Sequence, residues 1–332
     1  MRDERCAELL RDLADGRFCS GASLAVRYGV SRTTIAQCIR QIEAAFRVHV
    51  HKVPGRGYRL LEPLDLLLSE SIYSKLSSDD RGRLAALEVR DKIDSTNSYL
   101  LSERVSLGRR YHVVFAERQT AGRGRSGREW VSPFGRNILM SVGWRTDCSM
   151  RRLGGLSLIV GLAVVDALKS LGFSGIGLKW PNDLYWEARK LGGILVEVAG
   201  EADGPVSIVI GIGLNCHLDE THGRRISQPF ASLKELSRRV DRNHIAAAIL
   251  AVLFRMLSLY MENGFAHFHA DWQRLDILSG LEVNVFRGKD TSTGVYLGVD
   301  STGSALVNVG GQVHVLSGGE ISLRRNRGAS GA

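Results

Sequence analysis

The sequence predicts an α+β protein with three parts: a small helical head, a central mixed or antiparallel sheet with helices, and a short all-β end. Three observations carry this. Two helical stretches joined by a glycine turn, between Gly21 and Ile42, precede a charged hairpin. Leu156–Leu171 is a long, nearly all-apolar helical run and Asp241–Asn263 a second long helix, set among shorter runs of strand character that end at Gly, Pro or Asn. From Leu281 onward apolar residues recur at every second position. Strands and helices that do not alternate strictly indicate the α+β class. A length of 332 residues has room for more than one domain and a real core.

Composition narrows the setting. A hydrophobic content of 44% and a charged content of 24% are ordinary for a soluble globular chain. A net charge of +9 favours polyanionic partners. The five cysteines, at 6, 19, 38, 148 and 216, are odd in number and form no C-x-x-C pair. That argues against a disulfide framework or zinc site and for a reducing compartment. No apolar stretch comes after Met1–Arg5, and the longest apolar run, Ile245–Phe254, is about half a membrane span. The expected location is the cytoplasm, with no membrane partner and a disordered tail after Arg327.

The head comes first. Gly21–Tyr28 reads as a short helix closed by Gly29, with Ser31 the natural N-cap of the next helix. There Ile35, Cys38, Ile39 and Ile42 form a buried stripe, while Arg32, Thr33, Gln37 and Arg40 face away. The alternating Val48–Val53, the turn Pro54-Gly55-Arg56-Gly57 and a resumed strand at Tyr58 make a wing. Helix, turn, polar-faced helix and wing form the winged helix-turn-helix pattern over residues 1–63. Between Arg27 and Arg59 seven Lys or Arg stand against one acid, Glu43, the footprint of a duplex binder. The expected DNA contacts are Ser31, Arg32, Thr33, Gln37, Arg40, Lys52 and Arg56. Residues 64–83 read as a linker with one short helix.

In the central part, residues 84–277, a strand around Leu87–Val89 leads to Asp94-Ser95-Thr96-Asn97, where Asp94 or Ser95 caps a helix and leaves the Thr96 and Asn97 amides as a positive end. After a strand at Tyr111–Phe115 comes Gln119 and then Gly122-Arg123-Gly124-Arg125-Ser126-Gly127. Read literally this is the dinucleotide fingerprint, but no helix opens out of it, because Pro133 and Gly135 break the segment from Glu129 to Gly135 twice. The stretch is instead a basic, flexible loop between strands, able to fold over an anionic ligand. Leu178-Lys179-Trp180 ends at Pro181, and Asn182 and Asp183 occupy the turn. Lys190–Val198 and Val206–Leu214 are strands, the latter ending at Asn215. Gln119, Arg123, Arg125, Lys179 and Lys190 are donors, whereas Asn182, Asp183 and Asn215 suit a base edge or hydrated Mg²⁺. No nucleophile–His–acid set is evident and the nine histidines form no metal pattern. This inventory suits electrostatic stabilisation of a displaced phosphate better than covalent catalysis.

Six motifs in order carry a resemblance: Asp94–Asn97; Gln119 through the glycine loop to Trp130-Val131-Ser132-Pro133-Phe134-Gly135; Lys179–Asp183; Arg189–Leu195; Gly211–Asn215; and Gly318–Arg324. With the winged helix, the sequence resembles the bifunctional biotin–protein ligases that are also biotin operon repressors. The resemblance implies a biotin/lipoate ligase-like central domain and an SH3-like β-barrel over residues 278–326. It implies that biotin and Mg-ATP give biotinoyl-5′-AMP, and that the acyl group passes to a lysine of the biotin carboxyl carrier protein of acetyl-CoA carboxylase. It sets Ser95, Thr96, Asn97 and Gln119 in the biotin pocket, and Arg123, Gly124 and Arg125 in the loop over biotin and phosphate. Lys190 falls near the biotin carboxylate and α-phosphate, and Trp130 and Asn215, with Asn182, fall at the adenosine part. Lys179 and Asp183 lie near the reacting phosphates, with Mg²⁺ brought by ATP near Asp183 and no metal held by protein alone. Operator DNA and a ligand-induced homodimer are the further partners implied, biotinoyl-AMP being the corepressor. Ser126 departs from the pattern, since several relatives carry another Arg there, at a loop that borders the dimer surface. A ligase whose winged helix does not bind DNA, a sensor without ligase activity, and a lipoate-type ligase are the alternatives.

Overall fold

A computed structural model describes residues 2–102, 105–201, 204–237, 239–288, 290–318 and 321–325. Gly319 and Glu320 of the last motif, and the tail after Arg327, lie outside the described residues.

The head contains helices α1 (Arg2–Leu13), α2 (Gly21–Arg27) and α3 (Arg32–Phe46), then strands β1 (Val50–Val53) and β2 (Gly57–Leu60), paired antiparallel. Helix α1 is not anticipated by the sequence reading; its Leu9, Leu10 and Leu13 join Ile35, Ile39 and Ile42 in one buried cluster. Ser31 caps α3 by accepting from the Thr34 amide at 3.1 Å, and the stripe Ile35, Cys38, Ile39, Ile42 is buried as its spacing predicts.

The segment between the head and the sheet carries two short helices, α4 (Ser69–Ser74) and α5 (Ser78–Arg83), where the sequence suggests one. It does not hang free. Leu64 and Leu66 pack with the head and Phe134, while Leu67, Ile72 and Leu76 belong to the central core.

The central sheet has seven strands in the order β3-β4-β5-β9-β8-β7-β6. They are β3 (Leu84–Arg90), β4 (Tyr111–Ala116), β5 (Asn137–Thr146), β6 (Ile176–Lys179), β7 (Asp183–Trp186), β8 (Arg189–Gly200) and β9 (Val206–Asn215). All neighbours pair antiparallel except β3 with β4, so the sheet is mixed. Helix α6 (Thr96–Leu101) precedes β4, and α7 (Leu156–Ser170) comes after β5. Short helices α8 (Glu220–Gly223) and α9 (Leu233–Leu236) lead to α10 (Arg242–Asn263) and α11 (His269–Leu275). Two segments, Met150–Ser170 and Arg242–Asn263, are long and apolar enough to cross a membrane by length and composition. Here α7 and α10 pack against each other and the sheet, with Val160, Val164, Leu250 and Phe254 fully buried.

Alternation assigns the two faces of the sheet. On β9, Ile208, Ile210, Ile212 and Leu214 enter the core shared with α7 and α10. Gly211, Gly213 and Asn215 therefore face the other way, toward α6 and the glycine-rich loop. The motif Gly-Ile-Gly-Leu-Asn is thus a two-faced strand, apolar on one side and cleared for a ligand on the other.

The C-terminal part is a five-stranded antiparallel sheet in the order β13-β12-β11-β10-β14. Its strands are β10 (Glu282–Arg287), β11 (Asp290–Val299), β12 (Ala305–Val309), β13 (Gln312–Leu316) and β14 (Ile321–Arg325). No pairing between β13 and β14 closes it into a complete barrel among the described residues. Val283, Val285, Val299 and Val307 are buried as the period-two pattern predicts, but Val295, Leu297, Val313 and Val315 are exposed. A register shift between Tyr296 and Gly298 breaks the alternation of β11, so Tyr296 and Val299 are both buried and Val295 and Leu297 face outward.

Candidate active site

Two adjoining regions on the face of the sheet opposite α7 and α10, where α6 and the glycine-rich loop lie, bring the sequence-predicted residues together. The first is a buried polar pocket. Ser95 is the N-cap of α6, accepting from the Ser98 amide at 3.4 Å, and Thr96 and Asn97 are buried. The Thr96 amide does not stand as an open positive helix end, because it donates to Oε1 of Gln119 at 2.7 Å. Thr96 Oγ1 also donates to that oxygen at 3.0 Å, and Ser141 Oγ reaches Thr96 Oγ1 at 2.7 Å and Asn97 Oδ1 at 2.5 Å. Asn97 Nδ2 donates to Glu197 Oε2 at 2.7 Å, and Arg123 meets the same carboxylate at 3.0 and 3.3 Å while donating to Ser98 Oγ at 2.5 Å. Sequence reasoning misses Ser141 and Glu197; only their inward register on β5 and β8 marks them.

The loop of residues 118–136 covers this pocket. Thr120 and Ala121 donate to Ile93 and Asp94 carbonyls at 2.8 and 2.9 Å, and the Trp130 amide donates to Gly122 O at 2.9 Å. A side chain at Gly122 would lie 2.9 Å from Trp130 O, so only glycine fits there. Ser126 adopts a left-handed φ of 55°, which L residues rarely tolerate. Trp130 packs against β9: a Cβ at Gly213 would fall 2.6 Å from its indole ring. Its Nε1 is buried with no hydrogen-bond partner among the described residues.

The second region is electropositive. Lys190 Nζ sits 2.6 Å from Asp183 Oδ1 and 5.7 Å from the Trp130 ring centroid. Strict alternation would turn Lys190 toward the helices with Ile194. A register shift against β7, where Leu184 opposes Gly192 and Tyr185 opposes Lys190, puts Leu191 in the core and Lys190 on the site face. Lys179 Nζ lies 5.1 Å from the Tyr185 ring centroid, and Tyr185 OH is 3.4 Å away. Burial pushes the Lys179 ammonium below its ordinary value, as do Lys190, Arg324 and Arg128, against the pull of Asp183. Burial likewise lowers Arg125, whose Nη2 donates to Ile321 O at 3.4 Å, and raises the Tyr185 phenol to about 12 with help from Asp183. Lys190, Lys179 and Arg125 thus meet the charge of Asp183, while Arg128 and Arg324 act on the neighbouring Lys179 and Tyr185. Arg128 and Arg324 are not singled out as site residues by the sequence, although Arg324 ends the last motif.

Asn215 is buried, and its Nδ2 donates to Ala231 O at 3.0 Å and Lys190 O at 3.4 Å. Asn182 turns its Nδ2 onto Ile194 O at 2.6 Å, which holds the β6–β7 turn against β8. Trp180 donates to Gly303 O at 3.1 Å, joining this turn to the C-terminal sheet. Among the described residues no three His, Cys, Asp or Glu side chains gather as a metal-binding group.

The DNA candidates lie apart, on the head. Arg32, Thr33, Gln37, Arg40, Lys52 and Arg56 are exposed. Ser31 is occupied as a cap, and Arg56 stacks 4.3 Å from the Phe18 ring centroid.

The profile of the biotin/lipoate A/B protein ligase family matches residues 89–215, and that of an HTH domain matches residues 7–59. The chain is 40% identical over 316 residues to the bifunctional ligase/repressor BirA of Salmonella typhimurium, covering 95% of this chain and 96% of that one. It is 38% identical to the protein of the same name from Escherichia coli, covering 96% of each. Among solved structures it is similar to the biotin protein ligase from Aquifex aeolicus in complex with biotin and ATP. That likeness has 28% identity and a TM-score of 0.62, covering 73% of this chain and 100% of the other.

Proposed function

This chain belongs to the bifunctional ligase/repressor family, and from that premise we propose that it is an ATP-dependent biotin–protein ligase that also represses the biotin biosynthetic operon. The observation that carries the reading is the juxtaposition of a buried polar pocket with a cationic region where Lys190, Lys179 and Arg125 meet Asp183. Thr96, Asn97, Gln119 and Ser141 present donors and acceptors without charge of their own, which suits the uncharged ureido ring of biotin. The dithiolane of lipoate could make no hydrogen bonds to such groups, so it would forgo the discrimination they offer.

In the first step a biotin carboxylate oxygen attacks the α-phosphorus of ATP. The new O–P bond forms as the bond to the β-phosphate oxygen breaks, and pyrophosphate leaves. Lys190 and Arg125 cover the charge that develops at the α-phosphate, while Lys179, Arg128 and Arg324 face the departing polyphosphate. In the second step a carrier lysine amine attacks the acyl carbon, and AMP leaves. The carrier is a biotin carboxyl carrier protein of acetyl-CoA carboxylase. Trp130, against Gly213 of β9 and with its Nε1 lacking a hydrogen-bond partner among the described residues, and Asn215, two residues on along β9, frame the adenosine part. Arg123, tied to Ser98 and Glu197, fastens the loop so that water is kept from the mixed anhydride. Mg²⁺ enters with ATP: Asp183 is a single carboxylate already paired with Lys190, which is too few oxygen ligands to hold the ion alone.

The exposed face of α3 and the wing fit a major groove and its flanking phosphates. A ligand-favoured homodimer would present two such heads to two half-sites. None of the five cysteines is in a disulfide, which supports a reducing, cytoplasmic setting. Biotin-dependent exchange of labelled pyrophosphate into ATP tests the adenylation step. Exchange is expected with biotin and absent with lipoate. Exchange driven by lipoate alone would overturn the assignment.

A further inference from the structure

One ion pair is wholly buried yet touches none of the groups assigned to ligand. Arg242, on the first turn of α10, donates through Nη2 to Glu117 Oε2 at 2.7 Å, and both side chains are 0% exposed. Burying two charges is costly, and a well-packed apolar pair often serves stability as well or better. The partners of this pair give it a different use.

Glu117 comes directly after β4 and forms the first stem of the loop that bears Gln119, Arg123 and Arg125. Its amide donates to Arg90 O at 2.9 Å and its carbonyl accepts from the Gly135 amide at 3.2 Å. Asn137, the second stem, opens β5 opposite Asn215, and its Nδ2 donates to Val131 O at 3.4 Å, beside Trp130. The Arg242 fork holds both stems at once, because Nε and Nη2 donate to Asn137 O at 3.1 and 2.5 Å. The same pair grips the segment leading from the head. Arg242 Nη1 donates to Asp65 O and its amide to Asp65 Oδ2, each at 2.5 Å, and Glu117 Oε1 accepts from the Leu67 amide at 2.5 Å.

We propose that Glu117 and Arg242 are positioning residues of the adenylate site: they clamp both stems of the 118–136 loop, and the segment leading from the winged helix, into one unit that sets how long the loop retains the adenylate. The inference rests on the ligase reading. A guanidinium is the group that can do this, since its planar fork reaches three acceptors in fixed directions. Neither residue touches substrate, so the effect falls on retention and saturation rather than on the chemistry at phosphorus.

The test separates positioning from packing. In Glu117→Met/Arg242→Met the buried charges are removed together in favour of unbranched apolar side chains, and Glu117→Gln keeps the shape and the acceptor for Leu67. Melting temperature, the dissociation rate of preformed biotinoyl-AMP, and KM and kcat for pyrophosphate exchange are measured for each. The double variant leaves the Leu67 amide and the Asp65 and Asn137 carbonyls without these partners, so it should melt below the wild type. It should also release adenylate at least about tenfold faster, with KM raised more than kcat is lowered, because displaced loop stems are felt far from the chemistry. Glu117→Gln should shift release in the same direction. Wild-type release rates in both variants would overturn the inference and leave the ligase reading standing. A wild-type protein that forms no adenylate would overturn both.

Discussion

Lys190→Ala separates the chemistry of the site from its stability. The ammonium lies 2.6 Å from Asp183, with the two side chains only 14% and 19% exposed. An isolated pair of that kind would be expensive to break, because an unpaired carboxylate would remain. Here Asp183 keeps other cations, since Lys179 and Arg125 both feel its charge, and Arg128 and Arg324 act on the same neighbourhood. Removing one cation from such a group also relieves repulsion among the rest. The two effects oppose each other, so the net change in folding stability should stay within about 1 kcal/mol, or about 2–4 °C for a chain of this size. Adenylation is another matter. A positioned cation acting on charge that develops only in the transition state is worth about 10²–10³ in rate, or about 2.7–4 kcal/mol. Pyrophosphate exchange at saturating biotin and ATP should fall by that factor while the melting curve barely moves. A variant with unchanged exchange at saturation and only a weaker biotin KM would show that Lys190 serves binding alone.

Other perturbations read other parts. Arg123→Ala and Glu197→Gln break one contact from its two sides, so each should speed adenylate escape and the double variant should add little to either; additive effects on the dissociation rate would contradict this. Burial, reinforced by Arg242, Arg136 and Lys234, pushes His217 down to about 4 from 6.5. The folded state resists protonating it, so its contribution is complete above pH 6.5 and is lost as pH falls toward 4; His217→Gln should flatten the melting temperature over that window, and an unchanged slope would refute the assignment. Arg56→Ala should weaken binding to all DNA sequences and reduce the salt dependence, whereas Gln37→Ala should relax sequence preference. Gel-shift titrations on operator and random duplexes, at two salt concentrations, distinguish these outcomes from a head that does not bind DNA.

Much of this is legible in the chain because period and geometry coincide. The stripe of α3 and the two-faced Gly211–Asn215 strand arise from spacings of 3.6 and 2 residues, and both are where those spacings put them. The features that escape a sequence reading do so for physical reasons. The register shifts at Leu191 and at Tyr296 reverse side-chain direction, and no residue in the chain announces a bulge. Lys190 reaches the site face only through the first of them, and Val295 and Leu297 are exposed through the second. Glu197, Ser141, Arg128 and Arg324 are single polar residues in ordinary local contexts, brought in by strand pairing or from another sheet. The Glu117–Arg242 pair joins positions 125 residues apart. The linker is polar at Ser77–Asp80, while its leucines belong to two cores at once. At Ser126 the sequence shows a departure, and the backbone adds that the position is left-handed.

We propose that one adenylate serves both DNA binding and biotin transfer. This is tested most directly by fluorescence anisotropy of a labelled operator duplex while unbiotinylated carrier domain is titrated into protein, biotin and Mg-ATP. Strong operator binding is predicted only when biotin and ATP are both present, with a fall in anisotropy as carrier is added, in step with biotin appearing on one carrier lysine. Operator binding that is equal without ligand, or that persists while the carrier is being biotinylated, would contradict it.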